Sequence, residues 1–131
     1  MRTIKFRGQN IKGEWHYGFL SYNKDVSSDY EWFISNKAGK PFAFGAIEKS
    51  IGQFTGLYDK NGKEIFEGEI LYNNDRKENC VVKYDEEKAM FIVEYLESKD
   101  KFTLWESISN IYYSVGNICE NQELLENKLA D

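Results

Sequence analysis

One proline (Pro41), one histidine (His16) and two cysteines are spread over 131 residues. Each scarcity removes a class of chemistry. Zinc sites draw on clustered His and Cys ligands, and here there is no cluster to draw on. Cys80 and Cys119 lack C-x-x-C spacing; with no export signal they read as free thiols in a reducing cytosol. A Ser-His-acid triad would have to recruit His16, which alternates with Trp15 and Tyr17 as on a strand, and no nucleophile-elbow sequence accompanies it. A phosphate loop and a G-x-G-x-x-G fingerprint are both missing. No run approaches the roughly 18 apolar residues of a membrane span. Met1 is followed by alternating polar and apolar residues, unlike the apolar centre of a signal peptide. The expectation is a cytoplasmic chain that needs no cofactor and no membrane.

What the chain does have is aromatic residues: nine Tyr, nine Phe and three Trp, within a 41% hydrophobic composition. That is too apolar for a disordered chain, and 131 residues suit a single domain spanning 1–131. Acidic residues outnumber basic ones by 22 to 17, for a net charge of -5. This balance favours solubility and disfavours non-specific phosphate binding. The charges are uneven: Arg2, Lys5, Arg7 and Lys12 precede the first acid, Glu14, while Glu120, Glu123, Glu126 and Asp131 face only Lys128. Such ends are ordinarily solvated; mutual attraction, within the fold or between subunits, is the sharper reading.

The apolar period is mostly two, which means strands. Residues 2–7 and 14–22 read as a hairpin, with Trp15, Tyr17 and Phe19 on one face of the second strand and His16, Gly18 and Leu20 on the other. A polar loop over 23–30, a strand over 31–34 and an irregular connection over 36–45 follow. Residues 80–84 and 90–96 read as strands joined by the charged loop 85–89, and 111–115 as a last strand. One helix is expected near the C-terminus. Asn121 would cap it, Glu123 would sit in its first turn, and Leu124, Leu125 and Leu129 would share a face. About eight strands and one short helix make the fold mainly β.

The most informative stretch runs from Ile51 to Ile70. Asp59-Lys60-Asn61-Gly62-Lys63 is a turn signal between β-like flanks, with Asn61 and Gly62 both tolerant of positive φ. Gly56 and Gly68 would mark bulges or close backbone approach. A calcium loop does not fit: Gly62 falls at position 4, Lys63 at 5, and no helices flank it. The bent hairpin is the structural reading.

Gly52-Gln53-Phe54-Thr55-Gly56-Leu57, followed by Asp59-Lys60-Asn61-Gly62-Lys63-Glu64-Ile65-Phe66-Glu67-Gly68-Glu69-Ile70, resembles the signature of the YopX family of phage and prophage proteins. Ile4-Lys5-Phe6-Arg7 and Trp15-His16-Tyr17-Gly18 resemble the family's first two strands, and Val115 to Leu125 its closing segment. The resemblance spans essentially the whole chain. Departures are Gln122 where the family has Pro, Cys119 where it has Tyr, and Glu69 where it often has Asp. A usual Tyr at position 119 speaks for packing rather than a nucleophile there. The resemblance implies a bifurcated β-sheet curled into a pseudo-barrel, and an origin in phages or prophages of Gram-positive bacteria. It implies no activity.

Three functional classes remain. The first is a non-enzymatic interaction module that binds a host or phage protein, or a second copy of itself, with Tyr22, Tyr30 and Trp32 as exposed anchors around the polar loop. The second, not favoured by the acidic total, is a nucleic-acid-binding protein using the basic first hairpin through Lys5, Arg7, Lys12 and Trp15. The third is a carboxylate-dependent hydrolase. Glu67 and Glu69 would share a strand face there, with Glu64 on the other, although charged strand faces are ordinarily just solvated.

Overall fold

The computed structural model of the chain describes residues 3–24, 28–36, 43–105 and 111–126. Arg2, Pro41, Lys128, Leu129 and Asp131, all used above, lie outside them. The described residues are mainly β: eleven strands and one short α-helix. Strands β1 to β6 belong to one antiparallel sheet and β7 to β11 to a second, and neither strand order closes on itself. The chain divides into two compact units, Met1–Phe54 and Thr55–Asp131.

In the first unit, β1 (Phe6–Gln9) and β2 (Trp15–Tyr22) form the expected hairpin. The turn is closed by Asn10, whose side-chain oxygen accepts from the N–H groups of Lys12 and Glu14 at 2.9 Å each. β3 (Trp32–Ser35) pairs with β2, and β4 (Phe44–Ala46) pairs with β3. β4 falls in the stretch read from sequence as irregular; three residues are too few to show alternation. A 3₁₀ turn (Glu48–Ser50) then leads into β5 (Gly52–Tyr58), whose first residues pair with β1. Ser50 fastens that turn, donating to the Ile47 carbonyl at 2.6 Å and accepting the Gln9 N–H at 2.8 Å. Among the described residues of this unit, Ile34, Ala46 and Phe54 are the buried apolar ones.

In the second unit the remainder of β5 lies beside β6 (Glu64–Phe66). The chain then turns at Gly68, whose φ of 89° L-residues rarely adopt, and enters β7 (Glu69–Asn73) in the other sheet. β8 (Glu78–Asp85) and β9 (Met90–Tyr95) form the hairpin expected around residues 85–89. β10 (Lys101–Thr103) extends it, and β11 (Tyr112–Asn117) pairs with β7 on the far side. β7 is buried along nearly its whole length, polar Glu69 and Asn73 included, and β8 through Cys80, Val81 and Val82. Their core comprises Leu71, Cys80, Val82, Val93, Tyr95 and Tyr112, with Ile65 from β6 and Leu104. One polar chain crosses it: Asn73 donates to the Tyr95 hydroxyl at 2.7 Å, which lies 3.0 Å from the Tyr112 hydroxyl. Burial, then the Tyr95 bond, pushes the Tyr112 phenol above its ordinary value.

Helix α1 (Gln122–Glu126) forms where expected, with Glu123 in its first turn. Leu124 lines a small cleft with Tyr72, Glu78 and Leu96, so the helix docks on the β body, as so short a helix must. Asn121 acts differently from the expected cap: its side-chain oxygen accepts the Asn117 N–H at 3.1 Å, turning back to the end of β11. No described helix is long and apolar enough to cross a membrane.

Candidate functional site

The stretch that stands out in the sequence becomes a latch between a turn and the last strand. Asp59 is buried, and both of its carboxylate oxygens receive N–H donors. One accepts from Asn61 and Lys63 at 2.9 Å each, the other from Ser114 at 3.0 Å. Gly62 supplies the single left-handed residue, at φ 82°, and its N–H donates to the Asp59 carbonyl at 3.0 Å. Asn61 has no positive φ, so the loop is the longer hairpin type with one left-handed glycine rather than the two-residue turn its Asn-Gly suggests.

A second carboxylate completes the latch. Glu69, 1% exposed, accepts a short hydrogen bond from the Ser114 hydroxyl. The Lys63 ammonium lies 3.2 Å from Ser114 Oγ and 3.5 Å from Glu69 Oε2. Sequence distance hides this arrangement: Ser114 lies 45 residues beyond Glu69. Nothing in the local pattern at 111–115 marks Ser114, which reads as one polar residue on a strand.

Two sequence expectations about this region change. Glu67 is not on a strand with Glu69; it sits in the Glu67-Gly68 turn between β6 and β7. Glu69 is not a solvated strand carboxylate either, because the Ser114 and Lys63 side chains replace water around it. Glu64 opens β6 and is half-buried. The geometry gives Asp59 and Glu69 the work of holding the turn against β11.

The interaction residues separate into two kinds. Tyr22 and Trp32 are cross-strand neighbours at the ends of β2 and β3, with ring centroids 4.9 Å apart and tilted by 59°. Tyr22 is 51% exposed and donates to Glu31 at 3.2 Å. Its phenol is held above its ordinary value by desolvation and then by Glu31. Tyr30 is a strut instead. Its hydroxyl accepts the Ile11 N–H at 2.9 Å, and its ring covers Gly45, where any Cβ would collide with it.

The basic hairpin is likewise divided. Arg7 is 6% exposed, its guanidinium 4.8 Å from the Trp15 ring centroid, so it supports Trp15 rather than facing solvent. Lys5 is half-buried with its ammonium 5.2 Å from the Phe54 centroid. Lys12 is exposed in the β1–β2 turn. His16, read as an ordinary strand residue, stacks on Phe44 with ring centroids 4.1 Å apart and planes 4° from parallel.

Comparison with known proteins adds a family and a fold neighbour. A family model described as "YopX protein" matches residues 5–126. No curated protein matches the chain. Among solved structures, the chain is similar to protein EF1440 from Enterococcus faecalis, with 26% identity and a TM-score of 0.58. The match covers 96% of this chain and 100% of that one.

Proposed function

Starting from the fact that the chain belongs to the YopX family, we propose that it is a small phage or prophage accessory protein. In this reading it is a non-enzymatic protein-interaction module in the cytoplasm of a bacterial host. The observation that carries this is the Tyr22–Trp32 pair: a cross-strand aromatic pair with half of Tyr22 in water. Aromatic anchors of this kind dominate protein interfaces because they bury much area at little entropic cost. The polar clusters fit the same reading. Of the two carboxylates read as a hydrolase pair, Glu69 is engaged by the Ser114 hydroxyl in holding the fold, and Glu67 sits in the turn before β7 rather than on its strand.

The test is capture of a tagged copy from infected cells, with partners identified by mass spectrometry and affinity then measured on the purified pair. Tyr22→Ala with Trp32→Ala is expected to weaken the complex about tenfold or more. Full-strength capture by the double variant would show that the surface lies elsewhere.

A further inference from the structure

The net charge of -5 conceals a division between the two units. Residues 1–54 carry eight Lys and Arg against five Asp and Glu, or +3; residues 55–131 carry nine against seventeen, or -8. The acidic total is therefore no argument against an anion-binding surface on the first unit.

Such a surface has a physical outline there. Tyr17 and Phe19 project from one face of β2, two residues apart, so their attachment points lie about 7 Å apart along the strand. They are 44% and 50% exposed, although β2 is an internal strand flanked by β1 and β3. Cations border the row. Arg7 is the cross-strand neighbour of Tyr17 and braces Trp15 at one end. Lys5 continues the alternation of β1 on the Arg7 side, and exposed Lys12 tops the hairpin. Tyr22 and Trp32 belong to the opposite row, so this surface is separate from the aromatic pair described above.

We propose that the Tyr17–Phe19 face of β2 binds single-stranded nucleic acid, two successive bases stacking on the two rings while exposed Lys12 meets the phosphates. The ring spacing is about twice the 3.4 Å rise of a stacked strand, so it suits bases that have been splayed apart. Flat rings on an open sheet face match planar bases. Duplex bases are already stacked on each other, so single strands are preferred.

The measurement is fluorescence anisotropy of a labelled oligothymidylate longer than a site of about 16 nucleotides, titrated with the full chain at low salt and then at rising salt. The expected result is saturable binding that weakens with salt. Tyr17→Ala and Phe19→Ala should each reduce affinity about fivefold or more with an unchanged circular dichroism spectrum. Lys12→Glu should flatten the salt dependence. Tyr84→Ala, which removes an exposed aromatic of the second unit, should leave binding as it was. Absence of saturable binding at low salt overturns the proposal. So does binding that survives both aromatic substitutions, or equal binding of a blunt duplex. Displacement by polyglutamate of matched charge also overturns it, marking instead a site for acidic protein.

Discussion

At the scale of single residues, the same side-chain type takes opposite roles according to what lies beside it. Tyr22 holds half its surface in water, whereas Tyr30 is tied to Ile11 and laid over Gly45. Arg7 and Lys12 differ in the same way. The two thiols give a direct check. Cys80 has no exposed surface, and burial pushes its thiol up to about 12. The thiolate is the reactive form, so Cys80 should be inert in the folded chain. Iodoacetamide at pH 8 is expected to label half-buried Cys119 and to reach Cys80 only after denaturation. Equal labelling rates in the native protein would contradict the burial.

At the scale of elements, the segment most distinctive in sequence proves to be a fastening. Asp59 binds its own turn to β11, Gly62 lets the turn close, and Gly68 lets the chain pass from β6 in one sheet to β7 in the other. Ser114→Ala would leave the buried Glu69 carboxylate short of its hydroxyl donor. We expect a loss of about 1–3 kcal/mol in urea unfolding, because an under-bonded buried acceptor loses its solvation without compensation. Adding Glu69→Gln should recover part of that loss by removing the charge. If Ser114→Ala unfolds like the parent, the hydroxyl is not part of the latch. The Lys63 ion pair contributes less, since Lys63 is 59% exposed.

At the scale of the whole molecule, the second unit ties its distant turns together through charge. Glu78 accepts N–H bonds from Ser98 and Glu97 at 2.8 and 3.1 Å. Arg76 reaches Glu78, Asp100 and Ser98 while lying 4.0 Å from the Tyr95 ring centroid. Burial alone would raise the Glu78 carboxyl, but the Ser98 and Glu97 N–H groups and Arg76 together hold it below its ordinary 4.5. A carboxyl lowered by folding stabilises the folded state above its unfolded value, and that contribution fades as pH falls through the folded value. Melting temperatures should therefore drop as pH is taken from 4.5 towards 3. Glu94, held down chiefly by Lys83, adds to the same decline. Glu78→Gln should lower stability at pH 7 and make the acid decline shallower. A variant that melts like the parent at every pH would exclude this role.

Much of the β architecture could be read from sequence because it depends on local pattern. Alternation marked β1, β2 and the β8–β9 hairpin, and a charged loop marked where that hairpin reverses. β4 and β10 could not be read: each has three residues, and every residue of β10 is exposed, which leaves no alternation. The helix at Gln122 was visible, but the turning back of Asn121 towards Asn117 was not. By itself the sequence determined a mainly β chain, its family signature, and the row of Trp15, Tyr17 and Phe19. Only the tertiary structure decided which residues of that row face water and which carboxylates lose it. Burial is set by residues far along the chain, as when Ser114 closes over Glu69, and local periodicity carries no record of them.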